Sequence, residues 1–285
     1  MGFIGLFKGY AVSTEPETNP TVIPVKPEDI IQEAFKNIAA SEGYHIDSKF
    51  SLVLTGQAPL KKEGTIQFVY RNPNPAGGTT GLIHIITNWE EQEFESYQFI
   101  PSRPGETETN NQLINRHPLT NEWLPVMDSH LSTMTELYEN IKGHLTNFQT
   151  KPPQKIQNNN CLVIQAIMNQ AGQKKITETP PLPLPMQLNF QDILDNQFIF
   201  WIDEINRWPV RISFSLTISG DEFSELFPQA EEGVFEEEPR KIIVINFEMD
   251  FFNYNKNLDF TIPDEVKKLL NQERSDQKEE NKIKK

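Results

Sequence analysis

The stretch "FIFWIDEINRWPVRISFSLTI", residues 198–218, predicts two β-strands joined by a tight turn. From Val210 to Ile218 apolar side chains alternate with polar ones, and a period of two places the apolar side chains on one face of a strand. Asn206 and Pro209 have backbone preferences that suit the turn. A strand pair with one apolar face must bury that face, either in a packed core or against an apolar ligand.

The composition sets the class of protein. The chain has 285 residues, a net charge of −14 and a hydrophobic fraction of 37%. Because no repeat or clear boundary interrupts it, one α+β domain with a large antiparallel sheet is the most economical fold. We expect residues 27–268 to form this domain, residues 1–26 to be an N-terminal stub with a Pro/Thr-rich linker, and residues 269–285 to be a charged, disordered tail. Acidic side chains in such excess repel phosphate backbones, which argues against a nucleic-acid partner.

Two amphipathic helices are predicted to cover the sheet. The first begins at Pro27, which suits a first helical turn. The second lies within residues 128–148, with Asp128 or Ser129 as its N-cap. Each helix carries an apolar stripe at helical spacing. The stripes are Ile30, Ile31, Ala34, Phe35 and Ile38 in the first helix, and Leu131, Met134, Leu137, Ile141 and Leu145 in the second.

Alternating patterns predict the other strands of the sheet. They lie at residues 45–56, 64–71, 81–89, 96–102, 161–168 and 241–256. Pro59 and Gly64 are assigned to the turn between the first two of these strands, because both residues are typical of turns. Residues 102–120 are predicted to form a long loop, and residues 188–196 a short helix.

The sequence contains no motif that signals a catalytic, metal or cofactor site. Nucleophile-elbow, zinc-protease, Walker and dinucleotide-binding motifs are absent, and the five histidines are scattered. His130 and His144 lie on one predicted helix, but about 21 Å apart along its axis, too far to share a metal ion. The single cysteine, Cys161, stands among apolar residues and is predicted to be buried. We therefore expect a protein that is not an enzyme and needs no cofactor or metal.

Three stretches of the chain carry a family resemblance. They are the hairpin at 198–218, the closing segment "FEMDFFNYNKNLDFTIPDEV" at 247–266, and the helix-then-strand segment at 27–56. The hairpin has an Ile-Asp turn followed by a Pro-Val-Arg strand, and the closing segment has a Tyr-Asn turn and an Ile-Pro-x-x-Val end. Together they resemble the LolA/LolB-like superfamily of lipoprotein carriers, especially its LppX/LprG-like lipoprotein branch. The resemblance covers most of the chain between residues 27 and 268.

The resemblance implies a fold and a location. The fold is a curved, half-open antiparallel barrel, with helices covering a concave apolar face and a hydrophobic cavity that holds acyl chains. The location is extracytoplasmic, in the cell envelope, and we expect a membrane tether that reaches the domain through residues 12–26 from an N-terminal segment outside this sequence. Two features depart from the family: there is no lipobox cysteine near the start, and residues 102–120 and 221–240 look like insertions.

The expected partner is a lipid or the acyl chain of a lipoprotein, carried against apolar strand positions. These positions are Phe50, Leu52, Leu54, Ile66, Phe68, Phe200, Ile212, Phe214, Leu216 and Phe247. One alternative is that the helices and the sheet seal a dry core. A second alternative is a cell-envelope sensor or protein-interaction module on the same fold, without lipid transfer. In that case the acidic segment 221–240 is the contact surface for a membrane-associated protein partner.

Overall fold

One open antiparallel sheet, with eleven strands among the described residues, forms the body of the protein. The computed structural model describes residues 25–55, 59–73, 81–100, 112–126, 131–178, 192–220, 241–256, 258 and 261–270. Within these residues the strands are β1 (Gly43–Leu54), β2 (Leu60–Arg71), β3 (Gly81–Trp89), β4 (Gln92–Ile100), β5 (Gln112–Arg116), β6 (Trp123–Val126), β7 (Leu145–Ile156), β8 (Asn159–Met168), β9 (Asp192–Asp203), β10 (Pro209–Gly220) and β11 (Lys241–Phe252). Their order in the sheet is β6-β5-β4-β3-β2-β1-β11-β10-β9-β8-β7. Across the described strands the sheet does not close into a barrel, so the predicted α+β class with a half-open sheet is confirmed.

Short helices complete the described fold. They are α1 (Pro27–Ala40), α2 (Met134–Ile141), α3 (Gln170–Glu178), one turn of 3-10 helix (Lys142–His144) and a last helix, α4, at 264–270. α1 packs against α2 and against strands β7, β9 and β10. The predicted stripe of α1 is buried at Ile31, Ala34, Phe35 and Ile38, and Ile30 is half-buried. This burial places α1 and α2 on one face of the sheet, which we call the inner face.

The alternation predicted for the 198–218 hairpin is confirmed in β9 and β10. Phe214 of β10 lies opposite Phe198 of β9 on one side and Phe247 of β11 on the other, all on the inner face. Arg211 points to the opposite, outer face, where its Nε and Nη2 donate to the Asp250 carboxylate at 2.6 and 2.9 Å. This carboxylate raises the pKa of Arg211. The hairpin therefore joins a packed face to a charged one, as its sequence pattern predicts.

Several element boundaries differ from the sequence predictions. Gly64 lies inside β2 and not in a turn, because the strand already begins at Leu60. Residues 192–196 belong to β9, so the predicted helix at 188–196 is wrong over that part. Residues 112–116 form β5 within the segment predicted as a loop. In each case pairing with a neighbouring strand outweighs the local preference of the residues.

Strand β7 is not predicted from the sequence at all. It contains Pro152 and Pro153, which normally argue against a strand. It lies at one edge of the sheet, where backbone groups on the free side need no partner. Its register with β8 shifts across the two prolines, between Lys151 and Gln154. An edge strand that carries prolines and lysines resists pairing with another chain.

α2 is shorter than predicted, and Thr133 caps it in place of Asp128 or Ser129, which lie outside the described residues. The Thr133 hydroxyl accepts a hydrogen bond from the Glu136 backbone N–H at 3.2 Å. The Glu136 carboxylate accepts one in return from the Thr133 backbone N–H at 2.7 Å. Leu145, which was predicted in the same helix, is the first residue of β7. The Thr-x-x-Glu spacing of a capping box is present in the sequence and identifies this start.

A second, smaller cluster lies on the outer face. Leu82 and Phe99 lie opposite each other there, on β3 and β4, and α4 packs on them through Val266 and Leu270. The predicted C-terminal boundary of the domain, residue 268, lies within α4. Four predicted segments lie outside the described residues. They are the linker within residues 1–24, residues 102–111 of the predicted loop, the acidic segment 221–240 and residues 271–285 of the predicted tail.

We expect Thr133→Ala to lower the free energy of unfolding by about 1 kcal/mol, because it removes one half of the capping box. Urea denaturation followed by circular dichroism measures this change. The control is Ser129→Ala, the cap that the sequence predicted, for which we expect a change below about 0.5 kcal/mol. Equal effects of the two substitutions would contradict the assignment of Thr133 as the cap.

Candidate functional site

The inner face brings together all the strand positions that the sequence predicts as ligand contacts. Phe50, Leu52, Leu54, Ile66, Phe68, Phe200, Ile212, Phe214, Leu216 and Phe247 belong to one apolar cluster, and each is at most 5% exposed. They come from β1, β2, β9, β10 and β11. These five strands are neighbours in the sheet, although they are not consecutive in the sequence. These side chains would be buried in a dry core as well as in an occupied pocket, so their contact with a ligand stays a prediction.

A row of stacked aromatic rings crosses the inner face from β3 to β9. The rings of Trp89, Phe50, Phe247, Phe214 and Phe198 follow one another with neighbouring centroids 5.0–5.6 Å apart. Their planes are tilted by 24° at most between neighbours. Each offset-stacked pair contributes about 0.5–1.5 kcal/mol beyond the burial of its area. We call these five residues the aromatic row.

Gly64 makes this row continuous. Strand β2 lies between β1 and β3, and Gly64 faces Phe50 on one side and Trp89 on the other. Because Gly64 has no side chain, the Phe50 ring lies over its backbone and reaches Trp89, with a centroid distance of 5.1 Å. A Cβ atom at Gly64 would lie 2.4 Å from Phe50 Cζ and 2.7 Å from the Asn88 carbonyl oxygen. An aromatic ring that covers a strand glycine in this way is a known device for stabilising sheets.

Sequence reasoning missed three members of this arrangement. Trp89 and Phe198 were absent from the predicted contacts, and Gly64 was assigned to a turn. The alternation in "FIFWI" did signal that Phe198 shares a face with Phe200. No local signal links Trp89 to Phe50, because their contact depends on the register of β2 between them. Register is a long-range property that one strand sequence does not carry.

Helices α1 and α2 contact each other over the inner face through an aromatic pair. The rings of Phe35 and Tyr138 are parallel, with centroids 4.0 Å apart. Phe35 also meets the edge of Phe200 on β9, with a centroid distance of 6.4 Å. Burial raises the pKa of Tyr138 to about 12, so its hydroxyl stays neutral at physiological pH. One aromatic contact therefore joins the two helices to each other and to the sheet.

Two polar side chains on the inner face are occupied in holding the backbone. The Asn196 side-chain amide donates to the Met168 carbonyl at 3.0 Å and accepts from the Met168 N–H at 2.6 Å. The Gln98 amide oxygen accepts a hydrogen bond from the Leu131 N–H. These bonds secure the C-terminal end of β8 and the approach to α2. Neither side chain therefore interrupts the apolar character of the face.

A dense group of ionisable side chains lies on the outer face of β3, β4 and β5. Glu95 accepts a hydrogen bond from the Tyr97 hydroxyl at 3.1 Å and lies 2.9 Å from His84 Nε2 and 3.2 Å from Arg116 Nη1. Burial lowers the pKa of His84. These contacts satisfy both carboxylate oxygens of Glu95, so the group is a structural network rather than a poised acid and base.

The described residues offer no metal site, and an open groove on the outer face has a mixed lining. No group of three or more His, Cys, Asp or Glu side chains in the described ranges has the arrangement to hold a metal ion. The groove has a volume of about 390 Å³, and its lining combines polar residues with three members of the aromatic row, Phe50, Phe214 and Phe247. Cys161 is buried, as predicted, and burial raises the pKa of its thiol.

Comparison with known proteins finds no matching family model and no matching curated protein. Solved structures do align with this chain. Lipoprotein LppX of Mycobacterium tuberculosis aligns with 11% identity and a TM-score of 0.44, over 82% of this chain and 97% of that one. LprF of Mycobacterium bovis has 10% identity, a TM-score of 0.42, and coverage of 83% and 95%.

A LolA superfamily protein of Nitrosomonas europaea also aligns, with 10% identity, a TM-score of 0.23, and coverage of 85% and 97%. LppX and the Nitrosomonas europaea protein carry the names of the groups that the three sequence stretches resemble. Because the identities are low, we base the functional proposal on the geometry of the inner face.

We expect Gly64→Ala to destabilise the protein by about 1–3 kcal/mol, because the new methyl group must displace the Phe50 ring from the aromatic row. Chemical denaturation gives the change in unfolding free energy. Gly143→Ala is the matched control, because a Cβ atom there meets nothing within 4 Å.

A double variant tests the cause of that loss. In the background of Phe50→Leu, which removes the ring, Gly64→Ala should be less harmful than in the wild-type protein. Equal losses in the two backgrounds would show that the contact between Gly64 and Phe50 is not responsible.

Proposed function

We propose that this chain is an extracytoplasmic carrier that holds an acyl chain of a lipid or lipoprotein against its inner face. The observation that carries the proposal is the aromatic row, which forms a continuous apolar strip across strands β3 to β9. A strip of flat, uncharged rings suits a flexible hydrocarbon, because burial of apolar surface needs no specific hydrogen bonds. The proposed contacts are the predicted strand positions together with Trp89 and Phe198.

The energetics of acyl-chain burial fit such a site. Each buried methylene group contributes about 0.8 kcal/mol, so a long acyl chain gains enough to offset the loss of its own freedom. Charge contributes little, because the aromatic row has no ionisable side chain. Lys62, whose position on β2 also belongs to the inner face, has its ammonium ion-paired with Glu90 and 5.9 Å from the Trp89 ring. We therefore propose that the hydrocarbon rather than an anionic headgroup supplies most of the affinity.

Entry of a ligand requires movement of the covering helices. In the described structure Phe214 and Phe247 are at most 5% exposed, so an acyl chain must displace what covers them. α1 and α2 are the described helices that pack over the inner face, and the Phe35–Tyr138 stack joins them. We propose that these helices separate from the strands as the acyl chain enters. Both helices then contact part of the surface of the acyl chain.

The cell envelope is the proposed place of action, on the strength of the sequence resemblance. Among the described residues, none of the helices combines the length and the apolar character needed to cross a bilayer. Residues 12–24 of the proposed tether lie outside the described ranges. A membrane tether and a membrane-associated protein partner therefore remain proposals from the sequence.

We expect the wild-type protein to extract pyrene-labelled phosphatidylcholine from phosphatidylcholine vesicles, and Phe214→Asp to reduce extraction by roughly tenfold or more, because it buries a carboxylate in the aromatic row. The decrease in excimer fluorescence measures the extraction. Ser215→Asp is the control, because it places the same charge at the next position of β10, on the outer face.

Circular dichroism and thermal melting establish that each variant is folded. If Phe214→Asp does not fold, Phe214→Asn introduces polarity without a charge and replaces it in the comparison. The proposal is contradicted if the wild-type protein extracts no lipid, or if a folded polar variant at Phe214 extracts as much lipid as the Ser215→Asp control.

A further inference from the structure

Ser48 interrupts the apolar side of β1. The inner-face positions of this strand are Tyr44, Ile46, Ser48, Phe50, Leu52 and Leu54, and the serine is as buried as the others, at 2% exposure. Its neighbours in register are Ile66 on β2 and Met249 on β11, so apolar side chains flank it on both sides. A serine at this point is unexpected on packing grounds, because alanine would fit the same space without a polar atom.

The Ser48 hydroxyl has no hydrogen-bond partner, although it is buried. A buried polar group without a partner costs about 1–3 kcal/mol of stability. Asn196 and Gln98 on this face both bond to backbone groups. The Tyr44 hydroxyl on the same face of β1 also lacks a partner, but it lies six positions from Phe50, whereas Ser48 lies two. The Ser48 hydroxyl is therefore the unsatisfied group next to the aromatic row, and it needs an explanation. A bound ligand that accepts its proton in a hydrogen bond would supply one.

The position of Ser48 is next to the aromatic row. It lies two residues before Phe50 on the same face of β1, which is a distance of about 7 Å along the strand. Its own register row continues through Met249 to Ile212, which are apolar. A ligand whose hydrocarbon lies on the aromatic row therefore passes within reach of the Ser48 hydroxyl if its polar end is directed toward this neighbouring row.

We propose that Ser48 is a ligand-binding residue whose hydroxyl donates a hydrogen bond to the ester carbonyl of a bound acyl lipid. This inference rests on the proposed function and assigns one atom of the site a specific role. The partner must be an uncharged acceptor, because a carboxylate or phosphate beside Ile66 and Met249 would be buried without a counter-ion. An ester carbonyl is the uncharged acceptor that directly adjoins the hydrocarbon of an acyl lipid. The hydroxyl thus selects acylated lipids over ether-linked lipids of the same length.

The test compares two probes that differ in the carbonyl alone. Delipidated protein is titrated with dipalmitoyl phosphatidylcholine and with its dihexadecyl ether analogue, and native mass spectrometry measures the bound fraction. We expect the wild-type protein to bind the ester lipid roughly two- to tenfold more tightly than the ether lipid, the effect of one net hydrogen bond. In Ser48→Ala the affinity for the ester lipid should fall to that for the ether lipid, while the ether lipid binds as before.

The control is Ser51→Ala, which removes a hydroxyl from the outer face of the same strand and should preserve the ester preference. The melting temperature gives a second readout. Without lipid, Ser48→Ala should melt at the same or a higher temperature than the wild-type protein, because it removes an unsatisfied hydroxyl.

The possible outcomes separate the two proposals. If the wild-type protein binds both lipids with equal affinity, or Ser48→Ala keeps the ester preference, the role of Ser48 is wrong and the carrier function stands. If the wild-type protein binds neither lipid, the carrier function is wrong and the role of Ser48 falls with it.

Discussion

The Phe50 ring lies over Gly64 and stacks between Trp89 and Phe247, and the packing of the inner face depends on this contact. Trp89 belongs to a strand that is two positions away from β1 in the sheet. Any side chain on the intervening strand at this point would separate the two rings. With glycine there, the aromatic row runs without a gap from β3 to β9. The aromatic row therefore depends on the register of β1, β2 and β3. It is also the surface that we propose for acyl-chain binding.

The two faces of the sheet are stabilised by different interactions. The inner face is held by stacked rings and aliphatic side chains, and α1 and α2 cover it through the Phe35–Tyr138 pair. The outer face has the ion pair of Arg211 with Asp250, the network around Glu95, and a separate small cluster under α4. Helices that cover the inner face can move without breaking the polar contacts of the outer face. This separation is what a carrier with a stable scaffold and a movable cover requires.

The sequence predicted those elements in which local pattern and tertiary environment agree. The alternation in β10 identified both the strand and its buried face, and the stripe from Ile31 to Ile38 identified α1. Reasoning from the sequence failed where the decisive contact was distant in the chain. The prolines of β7 are acceptable only because that strand is at an edge, and Gly64 resembles a turn residue until its two neighbours in register are known. The unsatisfied Ser48 hydroxyl was likewise beyond prediction, because a serine in an alternating strand carries no mark of which partners it lacks.

The most direct test of acyl-chain binding on the inner face uses Trp89, one of four tryptophans in the chain, as a contact reporter. Replacing Trp123, Trp201 and Trp208 with phenylalanine leaves Trp89, at the end of the aromatic row, as the single tryptophan. Phosphatidylcholine with bromine on its acyl chain quenches tryptophan fluorescence on contact. The account predicts that this lipid quenches Trp89 when it binds, whereas an unbrominated lipid of the same length does not. Binding of the brominated lipid at undiminished Trp89 fluorescence, with binding measured by native mass spectrometry, would contradict the account.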